Sequence, residues 1–298
     1  MTRRGAKPGV EAWRPVDVLL EDERQPGGGR ASALTVFLAG AECPFTCVYC
    51  DLWRHTLDGP TPRGAIPAQI RQAIERFEAP RASVLKLYNA SNFFDDRAVP
   101  PEDDDEILRL AAPFARVVVE CHPCLVRGRA IDYARRLDGR LQVAMGLETV
   151  HPDALPRLAK KMTLDDFDAA AATLRAHGAG VRVFVLAGAP FVPPDESATW
   201  TVRSVEHALS QGAEHVAIIP LRSVNEGFRV PSLDEVEDAV DRCCELGLVT
   251  VDLWDVERLA ACPTCFPRRR ARLERMNASG RPEPRVVCAG CRTGRSAA

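Results

Sequence analysis

Seven short apolar runs, at residues 34–39, 84–88, 116–120, 141–147, 181–186, 215–219 and 249–254, recur along the chain. They are rich in Val, Leu and Ile. Several lack polar alternation, as strands covered on both faces do. Between them the spacing predicts helices at 67–77, 102–112, 128–137, 163–177, 198–211 and 232–246. The first places Pro67 at its opening position, with Ile70, Ala73, Ile74 and Phe77 on one side. Thr163-Leu164-Asp165-Asp166 offers a cap with acids in the first turn, and Ser232-Leu233-Asp234-Glu235 reads as a capping box. Such alternation restricts residues 32–256 to a parallel α/β domain. Periodicity alone does not separate a full barrel, a partial barrel and an open sheet.

Two segments flank that domain. Residues 1–31, rich in charge, proline and glycine, read as an irregular arm; Gly27-Gly28-Gly29 lacks the lysine and spacing of a phosphate loop. Residues 257–298 read as a small cysteine-rich and arginine-rich module. From Cys262 onward there are nine arginines, no lysine and only Glu274 and Glu283 as acids, a local charge of +7 inside a chain of net charge −2. The near-neutral total excludes uniform coating of a polyanion. With no apolar run of 18 residues a membrane span is excluded, and the basic N-terminus leads to no hydrophobic signal core. The expected location is cytoplasmic. There, eleven cysteines, odd in number and unevenly spaced, read as metal or redox chemistry rather than a disulfide framework.

The most informative string is Glu42-Cys43-Pro44-Phe45-Thr46-Cys47-Val48-Tyr49-Cys50, just after the first strand, where α/β proteins carry their ligand loops. Three clustered thiolates suit zinc or an iron–sulfur centre. A four-iron cluster takes four ligands, so three cysteines either recruit a distant fourth or leave one iron open for chemistry. Cys43-x-x-x-Cys47-x-x-Cys50, with Tyr49 before the last cysteine, resembles the signature of the radical S-adenosylmethionine (SAM) superfamily.

That resemblance implies a full or partial (β/α) TIM-like barrel of the radical SAM type. It implies a [4Fe–4S] cluster on Cys43, Cys47 and Cys50, SAM on the fourth iron, Tyr49 near the adenine, and a reducing partner such as a flavodoxin or ferredoxin. Many members carry a Gly-Gly-Glu-like stretch after the second strand; here Asn89, Ser91 and Asn92 stand in that place and supply the polar groups. Glu120 and Glu148, at strand ends, are candidates for the ribose or the amino-acid moiety, or alternatively capping or salt-bridge residues. Tyr88, Phe93, Phe94, His151 and Asn225 are candidate pocket liners.

Further strings resemble the radical subunit of archaeosine synthase and its bacterial relatives. They are Lys86-Leu87-Tyr88-Asn89-Ala90-Ser91, Met145-Gly146-Leu147-Glu148-Thr149, Lys160-Lys161-Met162-Thr163 and Ile218-Ile219-Pro220-Leu221. This implies an oxidoreductase or lyase acting on a modified nucleoside or tRNA. A radical enzyme of small-metabolite biosynthesis and a non-enzymatic iron–sulfur or zinc RNA-binding protein are the rival readings.

The remaining cysteines fall into three groups. Cys262-Pro-Thr-Cys265 and Cys288-Ala-Gly-Cys291 are two knuckles separated by 22 residues, suited to a four-thiolate zinc site or a second iron–sulfur cluster. The intervening Arg268-Arg269-Arg270-Ala271-Arg272 is either a phosphate-binding run or a solvated face. Cys121-His122-Pro123-Cys124 is either a metal, redox or pocket element or a plain turn, whereas Cys243 and Cys244, inside a helix, read as packing residues.

Overall fold

The computed structural model describes residues 7, 9–77, 83–222 and 227–291; the candidate liner Asn225 lies outside the described residues. Its strands are β1 Asp17–Arg24, β2 Arg30–Phe37, β3 Val84–Tyr88, β4 Arg116–Glu120, β5 Leu141–Glu148, β6 Gly180–Ala187, β7 His215–Pro220 and β8 Val249–Val251. The helices are α1 Ala65–Arg76, α2 Asp104–Ala111, α3 Arg129–Leu137, α4 Ala154–Arg157, α5 Leu164–Ala176, α6 Ser197–Ser210, α7 Leu233–Cys243 and α8 Phe266–Ser279. Strand order follows the chain from β1 to β8. No helix among the described residues is long and apolar enough to cross a membrane.

The chain divides into two compact units. One comprises Met1–Glu23, Arg30–Met145 and Asp165–Val181; the other comprises Arg24–Gly29, Gly146–Leu164 and Arg182–Ala298. In the first, β2, β3, β4 and β5 pair in parallel, with Phe37 opposite Tyr88, Leu87 opposite Val119 and Glu120 opposite Ala144. Ala33, Leu34, Val36, Leu85, Leu87, Val118 and Val119 are completely buried, so near-continuous apolar strands are what this unit requires. In-register parallel strands bring their C-terminal ends to one edge. The segments after Phe37, Tyr88 and Glu120 therefore converge.

In the second unit β6, β7 and β8 are parallel, with Ala187 opposite Pro220 and Ile218 opposite Val251. The capping box forms as read: Ser232 Oγ accepts from the Glu235 N–H, and the Glu235 carboxylate accepts from the Ser232 N–H at 2.8 Å. Arg229 adds a bidentate ion pair to the same carboxylate, which holds Glu235 down at about 2. Cys243 and Cys244 are both buried at the end of α7.

Four expectations change. Residues 17–24, expected to be irregular, form β1. The strand is signalled by charge: buried Lys86 of β3 donates to Glu21 at 2.8 Å and to Glu23 at 2.7 Å, and alternate acids share one face of a strand. Helix α1 starts two residues early, so Pro67 is its third residue; that costs nothing, because the first four N–H groups of a helix lack intrahelical acceptors. Phe93 and Phe94 pack edge-on against Tyr133 with centroids 5.5 and 5.4 Å away, so they belong to the core rather than to a pocket lining. The arginine-rich tail forms α8, which turns Arg269 and Arg272 inward and leaves Arg268, Arg270 and Arg275 exposed.

Candidate functional site

Within the first unit, the loop carrying Cys43, Cys47 and Cys50 leaves β2 through a tightly held exit. The buried side-chain amide of Gln69 pairs with both backbone groups of Ala39: Oε1 accepts from its N–H at 2.7 Å and Nε2 donates to its carbonyl at 2.9 Å. Thr61 Oγ1 accepts from the Ala41 N–H at 2.9 Å and donates to the Ala98 carbonyl at 2.8 Å. Gly40 lies between, and a Cβ there would meet the Ala98 oxygen at 3.0 Å, so the close approach needs glycine. Beyond the exit, Glu42 is fastened by Lys7 at 2.8 Å. The three cysteines are half-buried, and the Cys50 N–H donates to the Cys47 carbonyl at 3.2 Å.

The segments after β3 and β4 complete the site. Buried Asn92 donates through Nδ2 to the Cys43 sulfur at 3.3 Å, and its Oδ1 accepts from the His122 N–H at 2.7 Å. The His122 ring lies against Phe45, with centroids 3.9 Å apart and planes 15° from parallel. Glu120 Oε1 accepts from the Asn89 N–H at 2.5 Å, which fixes the turn where Ala90 takes a left-handed φ of 52°. Two buried polar atoms in that turn, Asn89 Nδ2 and Ser91 Oγ, have no hydrogen-bond partner among the described residues. Such orphans are costly, and a ligand is one way to satisfy them.

Thus the structure brings Cys43, Asn89, Ser91, Asn92 and Glu120 into one hydrogen-bonded neighbourhood, with Cys47, Tyr49 and Cys50 on the same loop. Burial pushes the Cys50 thiol up to about 12, and the Cys47 and Cys43 sulfurs push the same way. Such a sulfur becomes a ligand when a cationic centre displaces its proton. Cys121 is buried, its thiol raised by burial and donating to the His122 carbonyl at 3.2 Å, while Cys124 is exposed. Sequence reasoning missed Phe45, His122, Gln69 and Thr61 as supports of the loop. The aromatic between two cysteines and the histidine after Cys121 were the available signals.

The other predicted residues lie in the second unit. Glu148, buried at the end of β5 with a left-handed φ of 68°, pairs with buried Lys160 at 2.7 Å. A Cβ on Gly146 would come within 1.9 Å of the Glu148 carboxylate, which explains the glycine in Met145-Gly146-Leu147-Glu148-Thr149. Of the two roles open to Glu148, the salt bridge is the one its geometry displays. His151 accepts from the Asp153 and Ala154 N–H groups and leans on Trp200, with centroids 4.4 Å apart. After β6, a pocket is lined by Gly188, Phe191, Val192, Ser197, Phe228 and Arg229. Phe191 and Phe228 meet edge to face, and the Arg157 guanidinium lies 3.9 Å over the Phe191 ring.

The tail arginines find acids at home. Arg269, buried, donates to Glu237 at 2.8 Å and Asp234 at 2.9 Å. Buried Arg272 pairs with Asp241 and donates to the Glu283 and Pro284 carbonyls, while Arg285 reaches Asp241 at 2.7 Å. Three of the nine tail arginines, Arg269, Arg272 and Arg285, are thus matched by acids of α7. Arg269 and Arg272 cannot serve a phosphate.

Comparison with known proteins follows the same lines. The radical SAM superfamily model matches residues 39–199. The chain is 26% identical over 219 residues to archaeosine synthase subunit beta of Methanosarcina acetivorans, covering 70% of this chain and 62% of that protein. It is 19% identical over 220 residues to an uncharacterized protein of Methanocaldococcus jannaschii, covering 70% and 60%. The matches thus span about 60% of the length of these curated relatives. A crystal structure of a radical SAM methyltransferase from Sphaerobacter thermophilus aligns at a TM-score of 0.53 and 19% identity, covering 80% of this chain and 76% of that one. That likeness shows a shared TIM-like (β/α) fold.

Proposed function

Because the chain belongs to the radical SAM superfamily, whose members are enzymes using a [4Fe–4S] cluster and SAM, we propose that it acts on a modified nucleoside, free or within tRNA. In this superfamily the cluster and SAM together supply a 5′-deoxyadenosyl radical, which abstracts hydrogen from an unactivated carbon. The observation that carries the reading is the 43–50 loop itself. It presents three soft ligands at a strand end, with the Asn92 amide donating to one sulfur at 3.3 Å. A hydrogen bond to a ligating sulfur is one of the protein's means of setting a cluster's potential.

The donor set fits both groups. Cys43, Cys47 and Cys50 would hold three irons. Asn89 Nδ2 and Ser91 Oγ, buried and unsatisfied in the turn whose Asn92 reaches the Cys43 sulfur, are suited to a carboxylate such as that of the methionyl moiety. Glu120 keeps them aimed by holding the Asn89 backbone. Phe45, stacked on His122, ties the loop to the segment after β4.

A prediction follows for SAM affinity. Asn89→Asp keeps the Oδ1 that accepts from the Ser91 N–H at 3.3 Å but replaces the donor by a like charge. Losing a hydrogen bond to a charged group costs about 1.5–3 kcal/mol, so SAM binding should weaken by roughly 10- to 100-fold. Ser91→Ala should weaken it less, and iron content should be unchanged in both. Equilibrium binding to the reconstituted variants measures this; wild-type affinity in both would remove these residues from the site.

The substrate reading rests on the similarity to archaeosine synthase subunit beta. The pocket after β6 supports it, because Phe191 and Phe228 are the side-chain type on which bases stack. Rates of 5′-deoxyadenosine formation should rise when tRNA or its nucleoside digest is added to reconstituted, reduced protein. Stimulation by a small-metabolite fraction, with none from tRNA or nucleosides, would transfer the enzyme to metabolite chemistry.

A further inference from the structure

We infer that Cys262, Cys265, Cys288 and Cys291 hold a single zinc ion in a closed tetrahedral site, and that this ion staples a cap over the edge of the sheet at β8. The four sulfurs all lie within 4.8 Å of one another, and those of Cys265 and Cys291 are 3.6 Å apart. Tetrahedral zinc with Zn–S bonds of about 2.3 Å sets its sulfurs about 3.8 Å apart. A [4Fe–4S] cluster binds each cysteine on a different iron and spreads the sulfurs across the whole cluster; a [2Fe–2S] cluster does so between its two pairs. Neither fits four sulfurs gathered on the scale of one ion. Disulfides require about 2.05 Å. Among the described residues this is the only group of three or more potential ligands so gathered. The 43–50 triad, read as a cluster site, is not drawn together in this way.

Four protein ligands leave no coordination position for substrate, so the site is structural. What it holds in place is visible. Cys265 is the residue before α8, and Cys288 and Cys291 lie on the returning segment, so the ion closes the loop that contains α8. From α8, Asn277 pairs its side-chain amide with both backbone groups of Val251: Oδ1 accepts from the N–H and Nδ2 donates to the carbonyl, each at 2.8 Å. β8 is the last strand in the sheet order, and an edge strand presents unpaired backbone groups unless something covers them. Asn277 gives Val251 the partners that a further strand would supply. The Arg272 bonds to Glu283 and Pro284 fasten the return to the helix.

The test is the metal content of the full chain, purified anaerobically from zinc- and iron-supplemented cells. Wild-type protein should carry one zinc per chain beside the iron of the first site. Cys288→Ser should lose that zinc and keep the iron, and Cys47→Ala should do the reverse. Because Cys288→Ser risks misfolding, a second measurement uses wild-type protein. Exchange of its zinc for cobalt should give the intense visible absorption of tetrahedral thiolate-bound Co(II). A second set of irons lost with Cys288, a lone iron in place of zinc, the absence of any metal from the four cysteines, or an octahedral cobalt spectrum would each overturn the assignment.

Discussion

Replacing Cys47 by alanine is expected to remove nearly all iron from the reconstituted protein and to bring SAM cleavage down to the no-enzyme level. The reason is the ligand count. On the proposed reading, three cysteines on one loop would supply the protein's share of the cluster, with the fourth iron left for the cofactor. With two thiolates the cluster would have no firm hold. The Cys121 sulfur is buried and bonded to the His122 carbonyl, and Cys124 is exposed. The loop should survive the change, because its exit is fastened by Gln69, Thr61 and the Lys7–Glu42 pair, none of which involves sulfur. Retention of zinc at the C-terminal cysteines would verify that the variant is folded. Iron analysis and quantified 5′-deoxyadenosine are the two readouts, and a variant retaining both would remove Cys47 from the cluster.

The second large effect is on stability. Arg269 and Glu237 are almost completely buried and bonded to each other at 2.8 Å. Arg269→Met takes from the Glu237 carboxylate its hydrogen-bonded partner and leaves only the longer Arg272 contact at 3.7 Å, and breaking a buried pair by removing one member costs about 3–5 kcal/mol. Since about 1 kcal/mol moves the midpoint of a chain this large by roughly 2–4 °C, thermal unfolding should begin on the order of 10 °C lower. The double variant Arg269→Met/Glu237→Leu should recover most of the loss, because an apolar pair of similar volume often replaces a buried ion pair without penalty. Calorimetry on the wild type, Arg269→Met and the double variant decides it. A single variant as stable as wild type would show that the pair contributes nothing.

These residues also mark where the sequence was readable and where it was not. Apolar runs identify buried parallel strands because such strands need no polar face, and β2 to β8 lie on them. The capping box at Ser232 was legible because its partners are three residues apart. The cysteine loop was legible because metal ligands must be clustered to share one centre. What escaped was charge whose counter-charge lies far along the chain. Glu21 and Glu23 of β1 face Lys86, and Arg269 and Arg272 of α8 are inward because Glu237 and Asp241 on α7 receive them. A run of arginines has the same appearance whether its partners are phosphates or a neighbouring helix. Phe93 and Phe94 followed the same rule. They stand next to the polar turn in sequence, yet Tyr133, on α3, draws them into the core.

The central claim is that the 43–50 loop makes this chain a SAM-cleaving enzyme. It is tested most directly by reducing the anaerobically reconstituted wild-type protein with one-electron donors in the presence of SAM. The products are then quantified. The account predicts 5′-deoxyadenosine and methionine in equal amounts, formed by wild type and absent with Cys47→Ala. Protein carrying a full iron complement that forms no 5′-deoxyadenosine, with or without tRNA and nucleosides, would contradict it.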